Sequence, residues 1–210
     1  MHRLLVLLAF TGAVPVLGAQ APAALTRLEV MLDSATTADV AGSPLLLPLF
    51  TPASEALTFC GRTTCLVLRA PGRAGTVRVG ALGVSVAPPE VAGANLIRSP
   101  RPPEPSWDVP ADSLPLVLDL LSATLAVPSA RIAALDTTFR ALGATVTPEG
   151  EGIVVDLEGV RLRIRPEYRG AGVERLEFVL RRPAVGNPSY HFGSRSVLRF
   201  GPGRRATWTF

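Results

Sequence analysis

The order of predicted secondary-structure elements constrains this chain more than any single motif does. An alternating apolar run over residues 25–32 predicts a strand, because side chains on every second residue line one face of a sheet. Asp33 or Ser34 is placed to cap a helix after this strand, and we expect that helix to break near Gly42-Ser43-Pro44. Further strands are predicted at 56–59, 64–69 and 76–86. The first half is therefore expected to be β-α-β-β-β.

The same order returns in the second half. An apolar run over 114–121 predicts its first strand. The apolar spacing over 129–142 predicts a helix that Ser129 caps and Gly143 ends. The clearest predicted hairpin has strands at 152–157 and 160–165 with its turn at Glu158-Gly159. We expect a second β-α-β-β-β unit and then three C-terminal strands.

These patterns divide the chain into five segments. The predicted fold is α+β, with two β-α-β-β-β modules forming a curved mixed sheet and extra C-terminal strands. Seven prolines fall within 88–112, which is typical of a stiff, extended connector. The predicted segments are a signal peptide at 1–21, a first module at 22–87, this connector at 88–112, a second module at 113–182 and a C-terminal strand extension at 183–210.

The N-terminal residues are typical of a secretory signal peptide. A positive start at Met1-His2-Arg3 precedes an apolar run over 4–17, and Ala19-Gln20-Ala21 supplies a small-x-small cleavage site that ends at Ala21. The apolar run is shorter than the ~20 residues that a membrane-spanning helix needs. We therefore predict a secreted or periplasmic protein with no membrane anchor after cleavage.

Every basic residue of the chain is an arginine. The 21 arginines are interleaved with 17 acidic residues, so no nucleic-acid-binding surface is predicted. The predicted hairpin brings charges of both signs to one face, at Asp156, Glu158, Arg161, Arg163 and Arg165. We interpret this face as solvated and held by cross-strand ion pairs, because an anion-binding face would explain only the arginines.

The chain contains two cysteines, Cys60 and Cys65, separated by four residues. An even number of cysteines in an oxidising compartment favours a disulfide over free thiols. A turn of this length can bring two strand ends within the Cα distance that a disulfide requires. A zinc site would need two further ligands, so we predict a Cys60–Cys65 disulfide.

Two β-α-β-β-β units joined by a connector resemble the vicinal oxygen chelate superfamily, which includes glyoxalase-like and bleomycin-resistance-like proteins. Two shorter stretches also resemble an exported bacterial family of unknown function with a glyoxalase-like fold. The stretches are Leu32-Asp33-Ser34-Ala35-Thr36 with Ser43-Pro44-Leu45, and Tyr190-His191-Phe192-Gly193 with Leu198-Arg199-Phe200 and Ala206-Thr207-Trp208-Thr209-Phe210.

The resemblance implies where a metal would bind. Metal-dependent members place a His or Glu on the first strand of each module and a Glu on each fourth strand. This chain offers Glu29 and Asp119 on its two first strands, and Glu174 and Glu177 on a later strand of the second module. After cleavage His191 is the sole histidine, and it lies outside both modules. We therefore predict no metal and no cofactor.

Glu29, Glu174 and Glu177 are the candidates for catalysis. The resemblance implies that their strands line a concave sheet, where a carboxylate in apolar surroundings acts as a general base. The alternative is that these glutamates are simply solvated, as strand glutamates commonly are. His191 lies between Tyr190 and Phe192 and is predicted to face outward from its strand.

The leading functional prediction is an exported, metal-free, glyoxalase-like module that binds a small, partly apolar molecule in the cavity of the curved sheet. A carboxylate-based enzyme of the same fold is one alternative. A structural or interaction protein of the cell envelope is the other. The sequence predicts no nucleic-acid partner and does not indicate the oligomeric state.

Overall fold

A computed structural model describes most of the two predicted modules and the C-terminal extension. The predicted signal peptide at 1–21 with its cleavage site, the predicted strand at 76–86 and most of the predicted connector lie outside the described residues. Those residues are 24–46, 49, 51–52, 58–69, 90–97, 114–168 and 172–210.

Strands dominate the described residues and two helices accompany them, so the predicted α+β class is confirmed. The helices are α1 (Ser34–Gly42) and α2 (Ser129–Ala141). The strands of the first half are β1 (Ala24–Met31), β2 (Thr51–Pro52), β3 (Thr58–Cys60), β4 (Cys65–Arg69) and β5 (Glu90–Ile97). Those that follow are β6 (Val117–Val127), β7 (Thr145–Glu149), β8 (Gly152–Leu157), β9 (Val160–Pro166), β10 (Gly172–Leu180), β11 (Ser189–Phe192), β12 (Ser196–Phe200) and β13 (Arg205–Thr209).

The strands form two mixed sheets with a repeated arrangement. The first sheet has the order β2-β3-β4-β1-β5, and the second contains β7-β8-β9-β6-β10 and is extended by β13, β12 and β11. In each half the first strand is parallel to one neighbour, as β1 is to β4 and β6 to β9. Its other neighbour, β5 or β10, is antiparallel. We expected one curved sheet, but the hydrogen-bonded ladder is divided into two.

The segment predicted as a connector contains a strand. β5 lies within 88–112 and pairs with β1 in antiparallel register, with Ala94 opposite Leu28. The prolines of this segment flank Glu90–Ile97 and none lies inside it. Every residue of β5 therefore has a backbone N–H, which a sheet ladder requires and a proline lacks.

The two helices begin differently. Asp33 caps α1 as predicted, and its carboxylate accepts hydrogen bonds from the Thr36 amide at 2.8 Å and the Thr36 hydroxyl at 2.8 Å. In α2 the prediction that Ser129 is the cap is wrong, because Pro128 occupies the cap position and Ser129 is the first helical residue. The predicted stop at Gly143 is confirmed by its φ of 84°, a conformation that glycine adopts without strain.

A single hydrophobic core includes side chains from both sheets. Its buried members include Leu28 of β1, Leu125 of β6 and Leu176 of β10. Burial of such side chains stabilises the fold by about 25 cal/mol per Å² of apolar area. In the described residues, buried Leu, Val, Ile and Phe side chains thus form one packed core with members from both sheets.

Trp208 anchors the C-terminal strands to this core. Its side chain is fully buried, and its indole N–H donates to the Ser196 hydroxyl. The rings of Phe192 and Phe210 pack beside it, with centroid distances of 5.6 and 5.4 Å. The C-terminal strands are therefore an integral part of the second sheet.

Replacement of Trp208 by alanine should lower the free energy of unfolding by about 3–5 kcal/mol, because it removes the largest fully buried side chain among the described residues and leaves a cavity. Urea denaturation followed by circular dichroism measures this loss. Val185→Ala is the control, since Val185 is 96% exposed and its replacement should change the free energy by less than about 0.5 kcal/mol. A loss below about 1 kcal/mol for Trp208→Ala would show that the C-terminal strands contribute little.

Candidate functional site

The three candidate carboxylates are divided between the two sheets. Glu29 lies on β1 in the first sheet, is 2% exposed and forms an ion pair with Arg27 at 2.7 Å. Glu174 and Glu177 lie on β10 in the second sheet. Each is ion-paired with an arginine, Glu174 with Arg165 at 2.5 Å and Glu177 with Arg175 at 2.8 Å. Arginine thus balances the charge of all three carboxylates.

A groove of about 470 Å³ lies on the polar face of the second sheet. Of the three candidate glutamates, only Glu177 lines it. Leu121, Leu157 and Val160 contribute apolar surface. The polar and charged side chains along the groove are Ser122, Asp156, Arg161, Arg163, Glu177 and Arg205.

Strand register explains why these residues meet. One row across the sheet contains Thr207, Glu177, Ser122, Arg161 and Asp156, each opposite the next on neighbouring strands. β6 carries a bulge here, because Glu177 is paired with Ser122 and Phe178 with Leu120, which leaves one extra residue between them. The groove is therefore made from residues of five strands.

Ser122 holds the Glu177 carboxylate, which lines the groove. Its side chain is largely buried, and its hydroxyl donates a hydrogen bond of 2.8 Å to Glu177. Glu177 therefore accepts from a hydroxyl and a guanidinium at once. Groups held by two such bonds lose little further freedom when a ligand binds.

The charged hairpin face has both paired and unpaired arginines. The Nε of Arg161 donates to Asp156 at 2.6 Å, which confirms the predicted cross-strand ion pair. Within the described part of the chain, the side chains of Arg163 and Arg205 have no hydrogen bond or ion pair. Ion pairing therefore explains only part of this face.

The disulfide turn borders the groove. Cys60 and Cys65 form the predicted disulfide and close the turn between β3 and β4. Gly159, which lines the groove, has a φ of 79° in the turn between β8 and β9. A Cβ at this position would lie 3.4 Å from the Thr63 methyl group, so the two turns are in contact.

The carboxylate of Asp119 holds the disulfide turn against β6. It accepts hydrogen bonds from the Thr63 amide at 2.8 Å, the Thr63 hydroxyl at 2.6 Å and the Thr64 amide at 3.3 Å. The Leu120 amide donates a fourth bond at 2.9 Å. A Cβ at Gly61 would lie 2.3 Å from the same carboxylate, so only glycine fits there.

Burial governs the titration of Asp119. Its desolvation raises the pKa of the carboxyl group, and the hydrogen bonds from Thr63, Leu120 and Thr64 lower the pKa in part. The resemblance implied that Asp119 occupies the position where relatives carry a metal ligand. In this structure its carboxylate oxygens instead accept hydrogen bonds from the disulfide turn. Asp119 is therefore a structural acceptor between the two halves.

Two further backbone bonds reinforce this contact. The Val117 amide donates to the Leu49 carbonyl at 2.6 Å, and the Arg62 amide donates to the Leu118 carbonyl at 3.2 Å. Three successive residues at the start of β6, from 117 to 119, thus bind the first half. The wall of the groove next to Gly159 is fixed through them.

His191 lies away from this site. It is exposed on β11, with Phe192 buried after it and Tyr190 half-buried before it, so the predicted outward-facing position is confirmed. Among the described residues, no three His, Cys, Asp or Glu side chains come together as a metal ion would require. In the same residues, neither helix has the length and apolar character needed to cross a membrane.

Some of the residues that line the groove were singled out from the sequence. Sequence reasoning identified Asp156, Arg161 and Arg163 as one face of a hairpin, and the structure places all three along the groove. It missed Ser122 and Arg205, which come from strands far apart in the chain. Ser122 lies one residue beyond the strand predicted at 114–121, and Arg205 lies one residue before the strand predicted at 206–210.

Comparisons with protein-family models, with curated proteins and with solved structures find no match to this chain.

Replacement of Asp119 by asparagine should lower the free energy of unfolding by about 1–3 kcal/mol, because an amide group cannot accept from all the donors that now converge on the carboxylate. Thr63→Ala should have a smaller effect. Urea denaturation of both single variants and of the double variant measures the coupling. Exposed Thr137→Ala is the control. Additive effects of Asp119→Asn and Thr63→Ala would contradict direct coupling between these residues.

Proposed function

We propose that this chain is an exported, metal-free module that binds a small molecule in the groove of the second sheet. The observation that supports the proposal most directly is the Glu177 carboxylate, held by Ser122 and Arg175 and open to a groove of about 470 Å³. This volume lies within the roughly 300–1,000 Å³ that is usual for small-molecule sites. The ligand is mainly polar, with an apolar part against Leu121 and Val160.

The site differs from the cavity expected from sequence. The resemblance to the vicinal oxygen chelate superfamily implies a ligand inside a curved sheet, whereas the groove lies on the polar sheet face. The β-α-β-β-β order at the start of each half supports that resemblance, which remains part of our proposal. Fold likeness alone does not specify a ligand, so the proposal rests on the residues that line the groove.

Binding is favoured over the two alternatives. A carboxylate-based enzyme would use Glu29 together with Glu174 or Glu177, and only Glu177 borders the groove. Glu177 accepts two bonds, which orient it toward a ligand donor. An interaction protein of the envelope would need a partner surface, and the described residues show an indented polar face instead.

Export with signal-peptide cleavage predicts where the mature protein begins. Expression of the full chain in a secretion-competent bacterium should yield periplasmic or secreted protein that begins at Pro22, because cleavage follows Ala21. Intact-mass spectrometry of the exported fraction measures the missing segment and the two hydrogens lost on disulfide formation. Retention of residues 1–21 in cytoplasmic protein would contradict export.

The groove should retain a ligand when the protein is isolated from its natural compartment. Native mass spectrometry should show a bound molecule that is released on denaturation. Arg161→Glu should reduce its occupancy at least about tenfold, because it reverses a charge in the groove and repels Asp156. Arg199→Glu is the matched control, since Arg199 is exposed on β12 and does not line the groove.

Equal occupancy in the Arg161→Glu variant would place the ligand elsewhere. If native protein carries no ligand and no compound of a metabolite library binds, the binding function is wrong. Circular dichroism of each variant confirms that the fold is retained, since Arg161 is about half exposed and contributes little to stability.

A further inference from the structure

The two unpaired arginines of the groove stand at opposite corners. Arg163 lies on β9 in the row of Thr124, on one side of the row that contains Ser122 and Glu177. Arg205 lies on β13 opposite Val179, on the other side of that row. The strand order β13-β10-β6-β9 separates the two arginines by three strand spacings.

Sheet geometry gives the distance between them. Three strand spacings correspond to about 14 Å across the sheet, and four residues along the strands add about 14 Å in the perpendicular direction. The Cα atoms of Arg163 and Arg205 are thus roughly 20 Å apart. Arg163 and Arg205 are therefore attached to the sheet at well-separated points, and each corner of the groove offers its own guanidinium group.

The charges between the corners are already balanced. Arg161 is paired with Asp156, and Glu177 is paired with Arg175. The side chains of Arg163 and Arg205 have no such partner among the described residues. Excess positive charge in the groove is therefore concentrated at its two ends.

We propose that the groove binds an elongated small molecule that carries an anionic group, carboxylate or phosphate, at each end. This inference rests on the proposed binding function and specifies its ligand class. One anionic group binds Arg163 and the other binds Arg205, because a guanidinium group donates two parallel hydrogen bonds to a carboxylate or phosphate. The middle of the molecule contacts Leu121 and Val160, and a donor there binds Glu177.

The test uses calorimetric titration of the full mature chain with two homologous series. One series is straight-chain α,ω-dicarboxylates from four to ten carbons, and the other is α,ω-bisphosphonates of the same lengths. Affinity should reach a maximum at one length, because shorter molecules reach one arginine and longer ones lose more freedom on binding. The series with the tighter maximum distinguishes carboxylate from phosphate.

Three variants test whether Arg163 and Arg205 each bind one anionic end of the ligand. Arg163→Gln and Arg205→Gln should each weaken the best bis-anion about tenfold or more, since each removes one charge-assisted contact. The monoanion of the same length should respond strongly to only one of these variants. Arg199→Gln is the matched control, because it removes an exposed arginine outside the groove and should change affinity less than twofold.

The possible failures are distinguishable. Equal loss in Arg199→Gln would indicate nonspecific attraction and overturn the inference. Absence of a length maximum, or full affinity in Arg163→Gln or Arg205→Gln, would also overturn it. If neither series binds but native mass spectrometry shows an adduct that Arg161→Glu removes, the ligand class is wrong and the binding function stands. If no adduct depends on the groove, both are wrong.

Discussion

The hydrogen bonds to Asp119 fix the disulfide turn of the first half against β6 of the second half. A buried carboxylate is expensive to place in a protein interior unless donors satisfy its oxygen atoms, and here the disulfide turn supplies three of its four donors. The disulfide restricts the turn, Gly61 allows the close approach, and Thr63 meets Gly159 at the groove. Stability and site geometry therefore depend on the same contact.

The polar face of the second sheet combines two uses of arginine. Arg161, Arg165 and Arg175 form ion pairs with acids on the same face, and opposite-charge pairs between strands stabilise a solvated sheet face. Arg163 and Arg205 stand outside this pairing. This sheet face carries acidic and basic residues, but its positive and negative charges are not evenly distributed. The two arginines outside the ion pairs both line the groove.

Much of the fold could be predicted from periodicity, and little of the site. The hairpin of β8 and β9 and the end of α2 were predictable because their signals are local: alternation in one case and Gly143 in the other. β5 was missed because the surrounding prolines dominated the composition of its segment. Ser122 and Arg205 were missed because a bulge and the pairing of β10 with β13 decide where they lie, and neither is encoded within a short window.

The parallel pairing of β6 with β9 affects the stage of folding at which the groove forms. The residues that line the groove range from 121 to 205 in the sequence, so the groove has high contact order and forms only when distant segments have paired. β13 contributes one of its two corners and is an interior strand, paired with β12 on one side and with β10 on the other. Local opening of β13 would displace Arg205 while Arg163 stays in place on β9, so the core packing of Trp208 in the same strand also keeps this corner of the groove in position.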